Sequence, residues 1–506
     1  AAASFFMLAV TLLFLDYTGT VHRYLIWCAK MQFFPAVLAV NIAVVAGLVL
    51  MTLVLGRVYC SAVCPLGIFQ DKVSRIAGIG KKNRFSYRQP RKPLVITRYA
   101  ILALFALSVI LGLGVAAILL EPYSAYGRMV SQIAGPLYKY GNNILANFAE
   151  RADSYAFYTV DVWITGAGAL AAALLTLAVT AAFAWKSGRG YCNAVCPVGT
   201  FLGFLSKFSL VKLRINNEKC VGCSVCAKNC KAGCIDPAAK TIDYTRCVTC
   251  FNCIDRCPKK AIAYMAGGGM KTSSGAVKMI DAKNSSTAKQ LTGDGFARRG
   301  FITATALFAI GFITRAFAVR TYNFDGGLAP LEEKRVPQRK TPIIPPGADN
   351  IRNFRRRCTG CQLCVSVCPN QVLRPSSRLS EFMQPHLSFE RGYCRPECVR
   401  CSQVCPTGAI RPITAEEKSA IQIGYAVWQK NLCVVITDKV NCDLCERKCP
   451  TGAITRVPQD ANDPSSLKIP MKDIARCTGC GACEHLCPSR PYSAIYVEGV
   501  ESHRAI

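Results

Sequence analysis

Hydrophobic positions in this chain fall into long blocks, with the polar positions collected between them. An α-helix needs about 20 predominantly apolar residues to cross a bilayer. Three blocks approach that length, one at the start of the chain is a shortened version, and another is interrupted by Arg315. The five blocks are residues 1–15, 34–55, 99–120, 162–184 and 300–319. This pattern predicts an α-helical membrane bundle of four spans, and a fifth span further along the chain.

The basic residues between these blocks predict the orientation of the spans. The stretch from Arg57 to Arg98 contains ten Lys or Arg residues and one acid, Asp71. The loops 16–33 and 121–161 contain only two and three basic residues. Because basic loops remain in the cytoplasm, we expect 57–98 and the segment after the fourth span to be cytoplasmic. The fifth span then carries the rest of the chain to the periplasm, which predicts a multi-pass protein of the bacterial inner membrane.

These patterns divide the chain into five predicted regions. Residues 1–214 are predicted to form the four-span domain, and 215–265 a small Cys-rich domain. The segment 266–297 is rich in Gly, Ser, Thr and Lys, which is typical of a linker. Residues 298–320 contain the fifth span, and 321–506 form a second, larger Cys-rich domain that begins with a Pro-rich stretch.

Composition changes this picture in two ways. A net charge of +31 ordinarily favours a nucleic-acid partner. However, that count treats all 30 cysteines as neutral, whereas metal binding requires thiolates. Much of the remaining positive charge also marks cytoplasmic loops, so we expect no nucleic-acid partner. The spacing CxxCxxCxxxC recurs with little change, and this repetition predicts iron–sulfur clusters rather than a disulfide framework.

The small Cys-rich domain contains two runs of four cysteines and resembles a bacterial two-cluster ferredoxin. In that pattern the fourth cysteine of each run ligates the other cluster. The resemblance implies one cluster on Cys220, Cys223, Cys226 and Cys257, and a second on Cys230, Cys247, Cys250 and Cys253. The chain departs from the pattern at Lys231, where Pro is usual. Proline does follow the last cysteine of the second run.

The larger domain contains four further runs, whose sixteen cysteines predict four [4Fe–4S] clusters. By resemblance to four-cluster ferredoxin subunits of respiratory enzymes, the first run pairs with the fourth and the second with the third. The implied sets are Cys358, Cys361, Cys364 with Cys487; Cys368 with Cys477, Cys480, Cys483; Cys394, Cys398, Cys401 with Cys449; and Cys405 with Cys433, Cys442, Cys445. Cys28 and Cys234 belong to no run, and we interpret them as small buried hydrophobic residues.

A fourteen-residue motif occurs twice, as GRVYCSAVCPLGIF from Gly56 and as GRGYCNAVCPVGTF from Gly188. Both copies follow an apolar block, at the predicted cytoplasmic end of a span. A pseudo-twofold axis would bring Cys60, Cys64, Cys192 and Cys196 together around one shared iron–sulfur centre, the seventh of the chain. Zinc also suits four thiolates, and the alternative is two separate cysteine pairs with structural or redox-disulfide roles.

The duplicated motif, the four spans and the small ferredoxin domain together resemble the NapH-type membrane quinol dehydrogenases and their NosR-type relatives. The four-run domain, with Pro345 to Ala348 before its first run, resembles the periplasmic protein NapG. A natural fusion of the two is therefore implied, with menaquinol or ubiquinol as electron donor. The implied acceptor is a periplasmic c-type cytochrome or reductase, within a multi-subunit respiratory complex. Arg298 and Arg299 before the fifth span resemble a twin-arginine export signal.

Other cofactors are not expected. There is no CxxCH motif for covalent haem, and no Gly-rich nucleotide loop follows a predicted strand. The stretch 273–277 lacks the Thr that flavinylated relatives use. We therefore expect no haem, flavin or NAD.

Quinol oxidation releases protons, which a carboxylate or His near the site can accept. The candidates at the predicted periplasmic face are Asp16, His22 and Glu121. Two other functions remain open: a transmembrane relay between a low-potential cytoplasmic donor and the periplasm, and a non-catalytic assembly or regulatory role.

Overall fold

A computed structural model describes residues 2–79, 85–87, 89, 92–112, 114–266, 332–460 and 462–506. Residues 1–266 and 333–506 group into one compact unit. Most of the predicted linker 266–297 and the whole of the predicted fifth span 298–320, with Arg298 and Arg299, lie outside the described residues.

Among the described residues up to 206, the regular secondary structure is helical. Two helices are long, three are very short, and a π-helical turn at Val130–Ala134 joins α9 to α10. The helices are α1 (Ala2–Leu15), α2 (Thr20–Lys30), α3 (Phe33–Leu38), α4 (Ile42–Leu55), α5 (Val58–Ala62), α6 (Pro65–Ala77), α7 (Lys92–Ile110), α8 (Gly114–Leu120), α9 (Pro122–Met129), α10 (Gly135–Arg151), α11 (Ala167–Ser187), α12 (Gly190–Ala194) and α13 (Pro197–Ser206).

A bundle of four full spans is not supported. Within the described residues only α7 and α11 are long and apolar enough to cross a bilayer. Helices α1 and α4 have 14 residues each, which is about 21 Å at 1.5 Å per residue, against about 30 Å of hydrocarbon. The apolar block 34–55 is divided because Asn41 caps a new helix by accepting a hydrogen bond from the Val44 amide at 3.2 Å.

The two copies of the motif have the same local structure. In each, an apolar helix (α4 or α11) is followed by a five-residue helix (α5 or α12) and then by a helix that begins at Pro (α6 or α13). The packing is reciprocal, because α6 lies against α11 and α13 lies against α4. Each repeat therefore completes the other, as a pseudo-twofold arrangement requires.

The segment 121–161, expected to be a periplasmic loop, begins inside the protein. All eight residues of α9 are buried, including Ser124 and Arg128. Helix α9 packs against α6 and α11. Its polar residues resemble those of a loop in a hydropathy pattern, but they face protein on every side.

The small Cys-rich domain is built on an antiparallel pair, β1 (Val211–Ile215) with β4 (Ile262–Ala266). Between them lie the hairpin β2 (Ile235–Asp236) with β3 (Thr241–Ile242), and the single-turn helices α14 (Val225–Lys228) and α15 (Asn252–Asp255). The Tyr264 hydroxyl donates to the Leu55 carbonyl at 2.7 Å, which fixes this domain to the carboxyl end of α4.

The larger Cys-rich domain is built from three antiparallel pairs and seven short helices in the described residues. The pairs are β5 (Leu373–Pro375) with β6 (Pro385–Leu387), β7 (Ile421–Trp428) with β10 (Ile495–Ala505), and β8 (Ile454–Asp460) with β9 (Asp463–Lys472). The helices are α16 (Ile351–Arg357), α17 (Leu363–Ser366), α18 (Arg400–Gln403), α19 (Ala415–Ser419), α20 (Val434–Thr437), α21 (Leu444–Arg447) and α22 (Ala482–Leu486).

The two Cys-rich domains contact opposite ends of α4 and α11. The small domain meets the carboxyl ends, where the Arg189 amide donates to the Lys231 carbonyl at 2.9 Å. The larger domain meets the amino ends, where Arg391 pairs with Asp161 at 2.8 Å. The Trp163 ring lies under the Arg374 guanidinium, 4.1 Å from it. The helical region therefore separates the two domains.

Candidate functional site: a chain of cysteine groups

The cysteines of the duplicated motif are buried at the junction of the two repeats. Cys60, Cys64, Cys192 and Cys196 are each 5% exposed or less. Cys64 and Cys196 are the N-cap residues of α6 and α13, and proline follows each in the first turn. Proline suits that position because it has no N–H group, and an N–H group in the first helical turn has no partner within the helix.

The four thiols lie close enough to influence one another. Burial raises the pKa of Cys196, and the thiols of Cys192, Cys64 and Cys60 raise it further. Burial likewise raises the pKa of Cys64, with contributions from Cys192 and Cys60. Thiols from both repeats thus converge on one place, which we call the repeat site.

Two arginines cross between the repeats beside these thiols. Arg57 and Arg189 are fully buried. Arg189, of the second repeat, donates to the carbonyl of Cys60 in the first. Arg57 donates to Asn193 Oδ1 at 3.1 Å and lies 3.8 Å from Cys60 Sγ. Buried cations next to thiols favour the thiolate form, which metal ligation requires.

The same crossing explains the glycine that lies three residues after the second cysteine of each repeat, Gly67 and Gly199. A Cβ on Gly67 would lie 2.6 Å from the Cys60 carbonyl oxygen and 2.5 Å from an Arg189 nitrogen. A Cβ on Gly199 would lie 2.5 Å from the Cys192 carbonyl oxygen and 3.0 Å from Arg57. The conformation of the motif therefore leaves no room for a side chain at either position.

An ion-pair network attaches the small domain to the repeat site. Arg189 donates two hydrogen bonds to Asp71, at 2.7 and 2.6 Å, and Lys231 pairs with the same carboxylate at 2.6 Å. Burial raises the pKa of Asp71, but Arg189 and Lys231 outweigh this and hold it below its usual value. Asp71 is thus a charged link between both repeats and the residue that follows Cys230.

The small domain brings its eight motif cysteines into two groups, each around one cavity. Group 1, on the side away from the helices, consists of Cys220, Cys223, Cys226 and Cys257. Group 2, on the side of the repeat site, consists of Cys230, Cys247, Cys250 and Cys253, and Cys234 lines the same cavity.

The implied pairing of runs in the larger domain is wrong: the structure joins neighbouring runs. Cys368 lies around one cavity with three cysteines of the second run, not beside the fourth run. Burial raises the pKa of Cys358, and the nearby thiols of Cys361 and Cys405 raise it further. The hairpin of β5 and β6 connects the first two runs, and the hairpin of β8 and β9 connects the last two. Local hairpins of this kind bring consecutive runs together.

Four groups result. Group 3 is Cys358, Cys361, Cys364 and Cys405; group 4 is Cys368, Cys394, Cys398 and Cys401. Group 5 is Cys433, Cys442, Cys445 and Cys487; group 6 is Cys449, Cys477, Cys480 and Cys483.

Each group has the donor set of a [4Fe–4S] cluster, four cysteine thiols from two runs. Within the described part of the chain no three His, Cys, Asp or Glu side chains are arranged around a single metal ion. The ligands of an iron–sulfur cluster each reach a different iron, so they need not approach one point. The four thiols of each group therefore suit one [4Fe–4S] cluster, and these cysteines would hold it.

The predicted proton acceptors are buried rather than solvated. Asp16 Oδ2 lies 2.8 Å from His22 Nδ1. Burial lowers the pKa of His22, although Asp16 opposes this effect. Glu121 is 1% exposed and caps α9 by accepting from the Tyr123 amide at 3.0 Å and from the Ser124 amide. Burial also raises the pKa of Glu121.

Sequence reasoning missed the residues around Glu121. The charge of Glu121 contributes to raising the pKa of Tyr59 and of Tyr191, which directly precede Cys60 and Cys192. Glu121 also raises the pKa of Cys361 of group 3, and Arg128 lowers it. Arg128 is fully buried, and none of its guanidinium nitrogens has a hydrogen-bond partner among the described residues. Only the repetition of Tyr in both motifs hinted at this arrangement.

Two family models match parts of the chain. The model described as "4Fe-4S binding domain" matches residues 37–84 and 169–216, which include the two copies of the motif. The model described as "4Fe-4S dicluster domain" matches residues 357–409 and 440–490. The first of these dicluster matches encloses groups 3 and 4 entirely, in agreement with the pairing of neighbouring runs.

Three curated relatives each match less than half of the chain. "Methylamine utilization ferredoxin-type protein MauM" of Methylobacillus flagellatus is 31% identical over 179 residues, 35% of this chain and 76% of that protein. "Ferredoxin-type protein NapF" of Escherichia coli K12 is 27% identical over 170 residues, 32% of this chain and 87% of that protein. "Putative electron transport protein YccM" of the same organism is 25% identical over 234 residues, 44% of this chain and 55% of that protein. No solved structure matches this chain.

Proposed function

This chain belongs to the family of ferredoxin-type 4Fe–4S proteins that includes MauM, and on this premise we propose that it is a membrane-bound electron-transfer protein that oxidises quinol. In this proposal, electrons leave the quinol near the repeat site and pass through the cysteine groups of the larger domain. They are delivered to a periplasmic c-type cytochrome or reductase. When bound, each [4Fe–4S] cluster supplies a one-electron redox centre.

One observation carries the proposal: consecutive cysteine groups are joined either by hydrogen bonds between their own segments or by one buried helix. At one end, group 2 touches the repeat site. Arg57 donates to the carbonyl of Thr245 at 3.0 Å, two residues before Cys247. The Arg189 amide bonds to Lys231, the neighbour of Cys230. No layer of unrelated protein intervenes at this junction.

Helix α9 connects the repeat site to group 3. The Tyr191 hydroxyl donates to the Leu120 carbonyl at 3.4 Å, immediately before Glu121. Ser124 Oγ then donates to Thr359 Oγ1 at 2.8 Å, beside Cys358. The eight buried residues of α9 therefore bridge the two places where clusters would be held.

The larger domain continues the series. Groups 3 and 4 share their two runs, as do groups 5 and 6. The junction between the pairs is a backbone hydrogen bond of 2.9 Å from the Cys394 amide of group 4 to the Cys480 carbonyl of group 6. The order from the helices outward is therefore group 3, group 4, group 6 and group 5.

The environment of Glu121 suits quinol chemistry. A quinol releases two electrons and two protons, so it is best oxidised between two one-electron acceptors with a proton acceptor at hand. Glu121 lies between the tyrosines of the repeat site and Cys361 of group 3. Arg128 can donate hydrogen bonds to the oxygen atoms of a quinol head group, because it has no partner among the described residues. The pair of Asp16 and His22 is a second proton acceptor.

Membrane attachment is part of the proposal. Helices α7 and α11 are the candidate spans, and the Cys-rich domains contact opposite ends of α11. With the basic stretch 57–98 in the cytoplasm, the small domain is cytoplasmic and the larger domain is periplasmic. The exposed side of group 5 then faces the respiratory partner, and Arg298 and Arg299 serve export of the larger domain.

A transmembrane relay is the second candidate, favoured by the contact between group 2 and the repeat site. In that case a low-potential cytoplasmic donor would reduce group 1 first. A purely regulatory role would require neither donor to reduce the protein.

The test is anaerobic mixing of the purified full-length protein with a water-soluble quinol analogue, followed by loss of visible cluster absorbance. We expect rapid bleaching in the wild type. Glu121→Gln should slow it by about 100-fold or more, the usual contribution of a general base. Glu150→Gln, at an exposed position of α10, is the matched control and should leave the rate unchanged. Bleaching only by a low-potential donor would favour the relay, and bleaching by neither would contradict both.

A further inference from the structure

Cys234 is a fifth cysteine in the cavity of group 2. It is 2% exposed, and it lines the cavity together with Cys230, Cys247, Cys250 and Cys253. Its Sγ lies 3.5 Å from Cys230 Sγ. Because it belongs to no run, the sequence predicts only a small buried hydrophobic residue here, but in the structure it lies among the cysteines of that group.

Local backbone structure directs Cys234 into the cavity. Lys231 replaces the usual proline, and the chain then turns at Gly233, which has φ +58° and donates its amide to the Cys230 carbonyl at 3.0 Å. That backbone region favours glycine. The Asp243 amide donates to the Cys234 carbonyl at 2.8 Å, which holds the turn against the hairpin of β2 and β3.

The other half of the domain provides a comparison within the same chain. Group 1 has four cysteines around its cavity, and its fourth ligand is Cys257. The residue four positions after Cys257 is Ala261, where the other half has Cys234. Ala261 also lines its cavity, so the two halves present an alanine and a thiol at the same place.

We propose that Cys234 is a reserve ligand for the cluster of group 2, able to replace Cys230 on the same iron. The two sulfur atoms are 3.5 Å apart, so either of them could serve the same ligand position. In the exchange, the iron–sulfur bond to Cys230 would break and a bond to Cys234 would form. The proton of the Cys234 thiol passes to the Cys230 sulfur, and no atom changes its oxidation state.

The proposal concerns cluster binding and does not depend on quinol as the donor. It gives the cluster nearest the repeat site a means of surviving the loss of one ligand. Group 1 has no such means, because Ala261 offers no donor atom.

The experiment compares single and double alanine variants of the full-length protein. Iron is measured per chain, and paramagnetic resonance is recorded after reduction. Cys230→Ala and Cys234→Ala should each keep the iron content of the wild type, whereas the double variant should lose about four iron atoms, one cluster. Cys257→Ala, the matched control, should lose about four iron atoms by itself. The resonance of Cys230→Ala should be shifted but present.

Three results would overturn the proposal. The first is a loss of iron from Cys230→Ala that equals or exceeds the loss from Cys257→Ala. Since a reserve ligand keeps the domain assembled, misfolding of this variant falls under the same result. The second is a loss of iron from Cys234→Ala, which would make Cys234 the primary ligand. The third is a double variant with the iron content of the wild type, which would remove both cysteines from the site.

Discussion

Asp71 is the residue whose replacement tests the architecture of the repeat site most directly. Its carboxylate accepts two hydrogen bonds from fully buried Arg189 and pairs with Lys231 of the small domain at 2.6 Å. Asp71→Asn preserves the shape of the side chain but removes its charge, and it turns an amide donor toward one of the two cations. Arg189 would remain buried without a counter-charge.

The expected cost follows from that burial. Removing one partner of a buried ion pair costs about 3–5 kcal/mol. Because asparagine retains one acceptor oxygen, we expect the lower end, about 3 kcal/mol. The helical region ends at Ser206. For a domain of 150–250 residues, 1 kcal/mol corresponds to roughly 2–4 °C in the midpoint of thermal unfolding. The midpoint should therefore fall by roughly 6–12 °C.

The assay is thermal unfolding of the purified full-length protein, measured by circular dichroism and by cluster absorbance. Asp161→Asn is the control, because Asp161 also pairs with an arginine but its side chain is 74% exposed. An exposed pair contributes about 0–1 kcal/mol, so the control should shift the midpoint by a few degrees at most. Equal midpoints for the two variants would refute the argument that Asp71 holds the repeats together.

The pH dependence has a definite sign. The folded-state pKa of Asp71 lies below its ordinary value of 3.8 because Arg189 and Lys231 outweigh the effect of burial. A lowered pKa contributes stability above the unfolded-state value, and that stability is lost as pH falls through the folded-state value. The difference between wild type and Asp71→Asn should therefore be constant from pH 5 to 8 and narrow only below about pH 4. Narrowing between pH 5 and 8 would show that another group is responsible.

Three further outcomes are expected. Gly67→Ala should destabilise the protein by about 1–3 kcal/mol or more, because its Cβ would meet the Cys60 carbonyl. Gly47→Ala, with nothing within 4 Å of its Cβ, should stabilise α4 by about 0.5–1 kcal/mol, and thermal unfolding measures both. Iron analysis should give about 28 atoms per chain for seven clusters, and about 24 for Cys60→Ala and for Cys192→Ala alike. An iron content of about 28 in either variant would show that the two cysteine pairs do not share one centre. A cysteine introduced at Ser377 should react with a membrane-impermeant label in intact spheroplasts, and reaction only after lysis would reverse the proposed orientation.

The sequence identified the cysteines but not all of their partners. Spacing within a run is local information, so CxxCxxCxxxC and its variants were sufficient to identify the runs, including the third, in which a wide gap separates Cys433 from Cys442. Which runs fold together depends on the segments between them. The strands β5 and β6 lie between the first two runs, and β8 and β9 lie between the last two, so neighbouring runs meet. Nothing in the cysteine spacing distinguishes that result from the exchange between first and fourth runs.

Hydropathy was informative about apolar blocks and misleading about their ends. It treats 34–55 as continuous, because the single polar residue Asn41 changes the average little. As an N-cap, that residue begins a new helix. The reverse error occurred at α9, where Arg128 and Ser124 lower the average and suggest a loop. Their burial depends on tertiary partners such as Thr359, more than 200 residues away.

The crossing of Arg57 and Arg189 has a consequence for stoichiometry. Two identical repeats would offer two identical faces, and a twofold object of that kind would recruit two copies of any domain that docks on it. The chain avoids this because equivalent positions of the two repeats differ, among them Asp71, which corresponds to Gly203, 132 residues later. The face with the acid holds Lys231, and the face without it leaves Arg57 to bind the backbone at Thr245. One small domain thereby contacts both repeats at once. A chain made of either repeat alone would leave its buried arginine without the hydrogen-bond acceptors of the other repeat.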